Sequence, residues 1–194
     1  MIPAVDTEMF WGVIAATRAH SGLGKPFDQA LSDFLATWTE RDILAYQQRF
    51  DELHAALYRW DMWAAANLIG GGCSDDGFID FRAGLIAQGR GWYQRAAVSP
   101  DSVAGHPAVA DAPNHSRGGP LFYELVNYAA HEAFERVTGD KDGFYDACAR
   151  YRGSRGHSDP SPADMGEDFD FDDAQQMRRR LPRLSALYLR NSSA

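Results

Sequence analysis

The chain has 194 residues, a formal net charge of −8 and 45% hydrophobic residues. This length suits one domain with a sizeable core, and the apolar content argues against a disordered chain. The negative charge argues against binding to nucleic acid or to anionic membranes, because both need a cationic protein face. The sequence shows no secretory start, no apolar run near the roughly 20 residues of a membrane span and no disulfide framework. We therefore expect an acidic, cytoplasmic protein.

Apolar residues at helical spacing predict the first three helices. The first begins at Thr7 and ends near Gly22, and the second covers about residues 26–38. The third follows Thr39, which opens the capping-box-like sequence Thr-Glu-Arg-Asp. The apolar stripe of the third helix is the best in the chain and consists of Ile43, Tyr46, Phe50, Leu53, Leu57 and Trp60.

Glycines separate the next helices. A shorter helix over residues 61–69 is stopped by the triple glycine at 70–72, and Ser74 is placed to cap a helix that runs to Gln88. A further short helix covers about residues 91–97. Carboxylates at 75 and 76 already occupy the helix end where an anion would bind. The triple glycine therefore favours a tight turn between helices over an anion site.

The second half of the chain predicts a loop after Pro100, a long helix over residues 120–138 and a short one over 144–151. Residues 154–171 are polar and rich in Gly, Pro and Asp, which is typical of a loop. A last helix follows, interrupted at Leu181-Pro182. The predicted fold is all-α: a compact bundle of about seven to nine helices in one domain. Residues 1–153 would form the core, and residues 154–194 an acidic loop and C-terminal helix packed on it.

Four segments resemble one known family. They are Leu57 to Gly89, which combines an Arg, two Trp, a triple Gly and two adjacent Asp, then Phe10-Trp11, Tyr128 to Gly139, and Gly166 to Leu189. The family is the bacterial one catalogued as domain of unknown function 4240. In the last segment the family more often has Trp where this chain has Phe169. The resemblance implies a helical fold and a bacterial cytoplasmic setting, and it supplies no catalytic or ligand residues.

Arg82 is the sharpest anomaly in the sequence, because helical spacing places it among Phe78, Leu85 and Ile86 on an apolar face. A buried arginine is costly unless it is paired and hydrogen-bonded. We therefore expect Arg82 to be buried and paired with a carboxylate. The candidate partners are Asp75, Asp61 and Glu132. Two interpretations stay open, a structural ion network that fixes helix register or the floor of a ligand pocket.

Two other features suggest chemistry only weakly. Cys73 lies near a helix start, which lowers a thiol pKa, but the neighbouring carboxylates act in the opposite direction. The acidic run over 164–173 lacks the glycine and the final glutamate of a calcium-binding EF-hand loop. Acidity at a helix N-terminus, with Phe169 and Phe171 holding the segment in place, is the plainer interpretation. No metal site and no cofactor are predicted.

The leading functional hypothesis is a non-catalytic binding module for a protein or peptide partner, or for a small anionic ligand around Arg82. The candidate ligand-binding residues are Arg82, Asp75, Asp76, Asp61, Glu132, Trp60 and Trp63. The alternative is an enzyme in which Asp75, Asp76 or Glu132 acts as an acid–base carboxylate while Arg82 holds an anionic substrate group. A purely structural interpretation is the third. The sequence names no catalytic residue and leaves the oligomeric state open.

Overall fold

The computed structural model describes residues 5–21, 24–111, 119–155 and 164–189, and these ranges contain helices and no strand. The all-α prediction is confirmed. Ten α-helices of seven or more residues lie in the described ranges, slightly more than predicted. The α-helices are α1 (Thr7–Ser21), α2 (Phe27–Leu35), α3 (Glu40–Ala56), α4 (Trp60–Gly70), α5 (Asp75–Ala87), α6 (Arg90–Val98), α7 (Pro107–Ala110), α8 (Ala129–Thr138), α9 (Phe144–Ser154), α10 (Ala174–Arg180) and α11 (Pro182–Tyr188). Two 3-10 helices cover Pro100–Gly105 and Glu124–Tyr128.

Backbone contacts divide the chain into two compact units. Unit 1 comprises residues 1–55 and 124–162, and unit 2 comprises residues 56–123 and 163–194. The separate C-terminal segment expected from residue 154 onward stays a prediction. Within the described ranges, no helix has the length and apolar character that crossing a membrane requires.

Unit 1 is built on helix pairs: α2 packs against α1 and α8, and α8 contacts α9. Phe10 and Tyr46 stack in its core with ring centroids 4.9 Å apart, and burial raises the pKa of Tyr46 far above its usual range. Helices α3 and α9 are joined by an ion pair in which Arg152 lies 3.6 Å from Asp51. Burial raises the pKa of the Asp51 carboxyl.

In unit 2, α11 packs on α4 and on the 3-10 helix Pro100–Gly105, and α5 packs on α6. Asp101 connects two of these elements. Its carboxylate is only 8% exposed and accepts hydrogen bonds from the backbone N–H groups of Arg183 and Leu184, at 2.9–3.1 Å. These are N–H groups of the first turn of α11, which have no partner within their own helix. A side chain some eighty residues away in the sequence therefore caps α11.

The long helix predicted over 120–138 is wrong in its first part. Leu121 has a φ of 77°, in the left-handed region that a helix cannot use. The Tyr123 N–H donates to the Asp80 carbonyl at 3.1 Å, so this residue bonds to α5 instead of continuing a helix of its own. Gly84 permits that approach, because a Cβ there would lie 1.7 Å from the Leu121 carbonyl oxygen. The α-helix begins only at Ala129.

Two further boundaries differ from the sequence expectation. Arg59 is extended, with φ −142° and ψ 150°. The helix that was predicted to continue through Trp60 is therefore interrupted at Arg59, and α4 begins at Trp60. The loop predicted after Pro100 is helical over 100–105 and 107–110, each starting with a proline that suits a first helical turn. The remainder of that loop over 112–118 lies outside the described residues, as do residues 156–163. The break before Pro182 is confirmed.

Candidate functional site

The structure places both tryptophans that the sequence singled out in one line of rings within unit 2, which we call the aromatic row. Trp63 stacks on Phe78 with centroids 4.8 Å apart and on Trp60 at 5.7 Å, with interplanar angles of 15° and 12°. Trp60 contacts the edge of Phe171 at 6.1 Å. The aromatic row consists of Tyr58, Phe78, Trp63, Trp60, Phe171 and Phe169.

Arg82 lies at the end of the aromatic row that Tyr58 and Phe78 form. Its guanidinium carbon is 4.9 Å from the Tyr58 ring centroid and 4.6 Å from that of Phe78, and Nε donates to the Phe78 carbonyl at 3.2 Å. The residue is 6% exposed, so its predicted burial is confirmed. Burial lowers the pKa of Arg82 to about 10, against a smaller upward effect of Tyr58. The side chain therefore keeps its charge at neutral pH, next to π-faces that attract cations.

The predicted ion pair of Arg82 with Asp75 or Asp61 is wrong. Asp61 binds Arg59 instead, with Oδ1 3.0 Å from Nε and Oδ2 3.2 Å from Nη2. Asp75 is exposed and forms no ion pair with the residues that the structure describes. Glu132 is exposed on α8 of unit 1. Helical spacing identified the buried arginine and its neighbour Phe78 in α5, but it could not identify Tyr58, which lies outside that helix.

The turn between α4 and α5 fixes the position of Trp63. Gly71 ends α4 in the left-handed conformation with φ 65°, and the Ser74 side chain caps α5 by accepting from the Gly77 N–H at 3.2 Å. The indole Nε1 of Trp63 donates to the Cys73 carbonyl at 3.0 Å. The predicted tight turn and cap are confirmed. Asp76 is exposed in the first turn of α5.

Cys73 is half-buried beside Trp63, and its thiol is poorly suited to act as a nucleophile. Burial, and secondarily the charge of Asp80, raises the pKa of Cys73 to about 11. The thiolate is therefore a small fraction at neutral pH, and thiolate is the reactive form. The buried Cys148 thiol in unit 1 is shifted in the same direction, with burial raising its pKa to about 12.

A second arginine, Arg180, lies at the other end of the aromatic row, and no sequence pattern had identified it as part of a site. The Arg180 guanidinium carbon is 4.3 Å from the Phe169 ring centroid, and Nη2 lies 2.7 Å from Glu167. Phe169 is buried and packs on Phe171, which agrees with the expectation that the two rings hold this segment in place. Asp173 caps α10 by accepting from two backbone N–H groups.

No group of three or more potential metal ligands occurs among the described residues. The acidic residues 164–173 serve identifiable local roles, such as the cap at Asp173, and this segment is joined to α4 by the bond from the Trp60 N–H to the Met165 carbonyl at 3.0 Å. The donors and acceptors of the site are thus largely backbone groups and rings.

The fold and the site define an all-α protein whose most distinctive feature is a row of stacked rings with an arginine at each end. A family model described as protein of unknown function (DUF4240) matches residues 5–136, more than half of the chain, and the chain belongs to that family. The match includes Trp60, Trp63 and Arg82 and ends before the segment 166–189. No curated protein and no solved structure matches the chain.

Proposed function

We propose that the protein is a non-catalytic binding module that recognises a protein or peptide partner through Trp60 and Trp63. The observation that carries this proposal is the stacked pair itself. Both rings are half-buried and held in place, Trp63 through its bond to Cys73 and Trp60 through its contact with Phe171. Rigid, partly exposed tryptophans lose little conformational freedom on binding, and they are enriched among the residues that dominate binding energy.

The charges near the pair favour a basic partner. The Asp61 side chain is 41% exposed and follows Trp60 directly, and Asp75 and Asp76 lie just beyond the residue that Trp63 contacts. Glu167 is paired with Arg180 and Asp61 with Arg59, so the carboxylates near the pair that form no ion pair with described residues are those of Asp75 and Asp76. Carboxylates of this kind steer cationic partners, and the tryptophan faces suit arginine or lysine side chains. The proposed ligand is therefore a segment of a protein that carries arginine or lysine.

The surroundings of Arg82 give little support to a small anionic ligand there. The guanidinium is nearly inaccessible, and its Nε donor is already used by the Phe78 carbonyl. We assign Arg82 the supporting role of holding Tyr58 and Phe78 behind the exposed pair. Asp75, Asp76 and Glu132 are all exposed, so the enzyme alternative gains no concave acid–base site from them.

A synthetic peptide array tests the proposal, with otherwise matched peptides that carry arginine, neutral or acidic residues. We expect arginine-bearing peptides to bind best, and Trp60→Ala and Trp63→Ala each to weaken binding by roughly thirtyfold, as at an interface hot spot. Trp92→Ala is the matched control, because Trp92 is another half-buried tryptophan of unit 2 that lies outside the aromatic row. Circular dichroism establishes that each variant is folded.

Three results would count against the proposal. One is a preference for acidic peptides, another is equal weakening by Trp60→Ala and Trp92→Ala, and the third is binding of no peptide at all.

A further inference from the structure

A cavity of about 220 Å³ lies in unit 1 where the start of α1, the middle of α3 and the end of α9 come together. It holds roughly seven waters at about 30 Å³ each, which is the size of a small metabolite and far too small for a nucleotide. The aliphatic side chains of Val5 and Ala45 line part of it. The charged residues of its wall are Asp6, Arg49, Glu52 and Arg155.

Two of these charges, those of Arg49 and Glu52, form an ion pair. Arg49 Nη1 lies 2.5 Å from Glu52 Oε2, and Gln48 donates to the other oxygen, Oε1, at 3.1 Å. The Glu52 carboxylate therefore has a donor on each oxygen, and the Arg49 charge is neutralised. Neither the Arg49 guanidinium nor the Glu52 carboxylate is therefore available as an unpaired charge to attract a ligand of opposite charge.

The other two charges are not compensated within the described part of the chain. Arg155 lies 5.6 Å from the Tyr151 ring centroid and its Nη1 donates to the phenol oxygen at 3.4 Å, but it forms no ion pair there. Asp6 accepts from the Met9 N–H at 2.8 Å through Oδ1 and likewise forms no ion pair. One open cation and one open anion thus line the same small cavity without binding each other.

We propose that this cavity binds a free α-amino acid, or a zwitterion of the same size, with its carboxylate on Arg155 and its ammonium on Asp6. A guanidinium is the side chain best matched to a carboxylate, because its planar donors form two parallel hydrogen bonds. A phosphate fits less well, because the Asp6 carboxylate would repel its second negative charge. The apolar contacts available from Val5 and Ala45 favour a neutral side chain on the ligand.

The two open charges and the paired ones all belong to unit 1, so the proposal is independent of the aromatic row. None of the cavity residues is among the candidates that the sequence suggested. The chemistry proposed is binding alone, with no bond made or broken.

The test is a thermal-shift screen of the standard L-amino acids at millimolar concentration, followed by isothermal titration calorimetry of those that raise the melting temperature. We expect at least one neutral amino acid to bind. Its N-acetyl derivative and its methyl ester each lack one charge, and both should bind at least roughly tenfold more weakly. Inorganic phosphate serves as the anion-only probe and should bind more weakly than the amino acid.

Variants identify the site. Arg155→Ala should weaken binding roughly tenfold or more, and Asp6→Asn should do the same while keeping an oxygen for the Met9 N–H. Arg41→Ala is the matched control, because Arg41 is an exposed arginine of α3 that does not line the cavity. Failure of every amino acid to bind, or binding that survives in both site variants, would overturn the proposal. Phosphate binding that exceeds amino-acid binding would also overturn it.

Discussion

Two arginines that both lie against a tyrosine ring are used in opposite ways. In unit 2, Arg82 is 6% exposed and contacts the rings of Tyr58 and Phe78. In unit 1, Arg155 is exposed at the end of α9 and lines a cavity beside Tyr151. The first arginine stabilises the packing of its own helix, and the second offers a charge to a ligand. Contact with an aromatic ring therefore does not distinguish a structural arginine from a ligand-binding one. The solvent exposure of the side chain does distinguish them.

The largest loss of stability is expected from a substitution in α5 at a position where the packing leaves no room for a Cβ atom. Gly84→Ala places a Cβ 1.7 Å from the Leu121 carbonyl oxygen, so the backbone must move, and we expect a loss of about 3 kcal/mol or more in the free energy of unfolding. Urea denaturation measures it. Gly77→Ala in the same helix is the control, since its Cβ would meet only ordinary contacts at 3.5–3.6 Å. Equal stability of the two variants would show that α5 and Leu121 are not packed as described.

Arg82→Ala is expected to lower the free energy of unfolding by about 2–3 kcal/mol, because it removes two cation–π contacts and the packing of a long side chain. Arg82→Met keeps most of the apolar stem and removes a buried charge, so we expect it to remain within about 1 kcal/mol of the parent. Chemical denaturation separates the two variants. An Arg82→Ala protein with the same free energy of unfolding as the parent would show that Arg82 does not stabilise the fold.

Asp101→Ala tests a buried charge that is satisfied by backbone groups instead of rings. The carboxylate caps the first turn of α11, and its removal leaves N–H groups at positions 183 and 184 without an acceptor. We expect a loss of about 1–2 kcal/mol in the free energy of unfolding. Asp101→Asn keeps one acceptor oxygen and should lose less. Hydrogen exchange should report faster opening of α11 in Asp101→Ala, and unchanged exchange there would refute the capping role.

The smallest expected effect belongs to Arg155→Ala, which should change the free energy of unfolding by less than about 0.5 kcal/mol. The side chain is exposed and forms no ion pair with described residues, so little native interaction is lost. The same denaturation curves used for Arg82→Ala give the comparison. A large loss of stability would mean that Arg155, like Arg82, is structural, and it would weaken the proposed amino-acid site.

The sequence predicted the features that depend on residues close together in the chain, within one helix or at its ends. The periodicity of α5 identified Arg82 as buried, and the Gly-Ser signals placed the turn and the cap at Ser74. The all-α class, the break at Leu181 and the buried Phe169 were also accessible in this way. Each of these features follows from local spacing or from the preference of one residue type for one backbone position.

What the sequence could not predict depends on residues far apart in the chain. The left-handed Leu121 exists because Gly84 makes room for it, and α11 is capped by Asp101. The cavity of unit 1 combines three helices, and Arg155 has no local pattern that distinguishes it from other surface arginines. The aromatic row likewise joins α4 and α5 to the segment around Phe171, which lies more than one hundred residues after Trp60.

A single thermal-shift experiment on Arg82→Met and Arg155→Met tests the contrast between the two arginines most directly. Each variant is melted with and without the amino acid that stabilises the parent best, because a ligand raises the melting temperature only where the native state binds it. We expect Arg82→Met to keep the ligand-induced rise, whatever its own melting temperature, and Arg155→Met to lose it. A rise that is lost in Arg82→Met and kept in Arg155→Met would contradict the roles proposed for the two arginines.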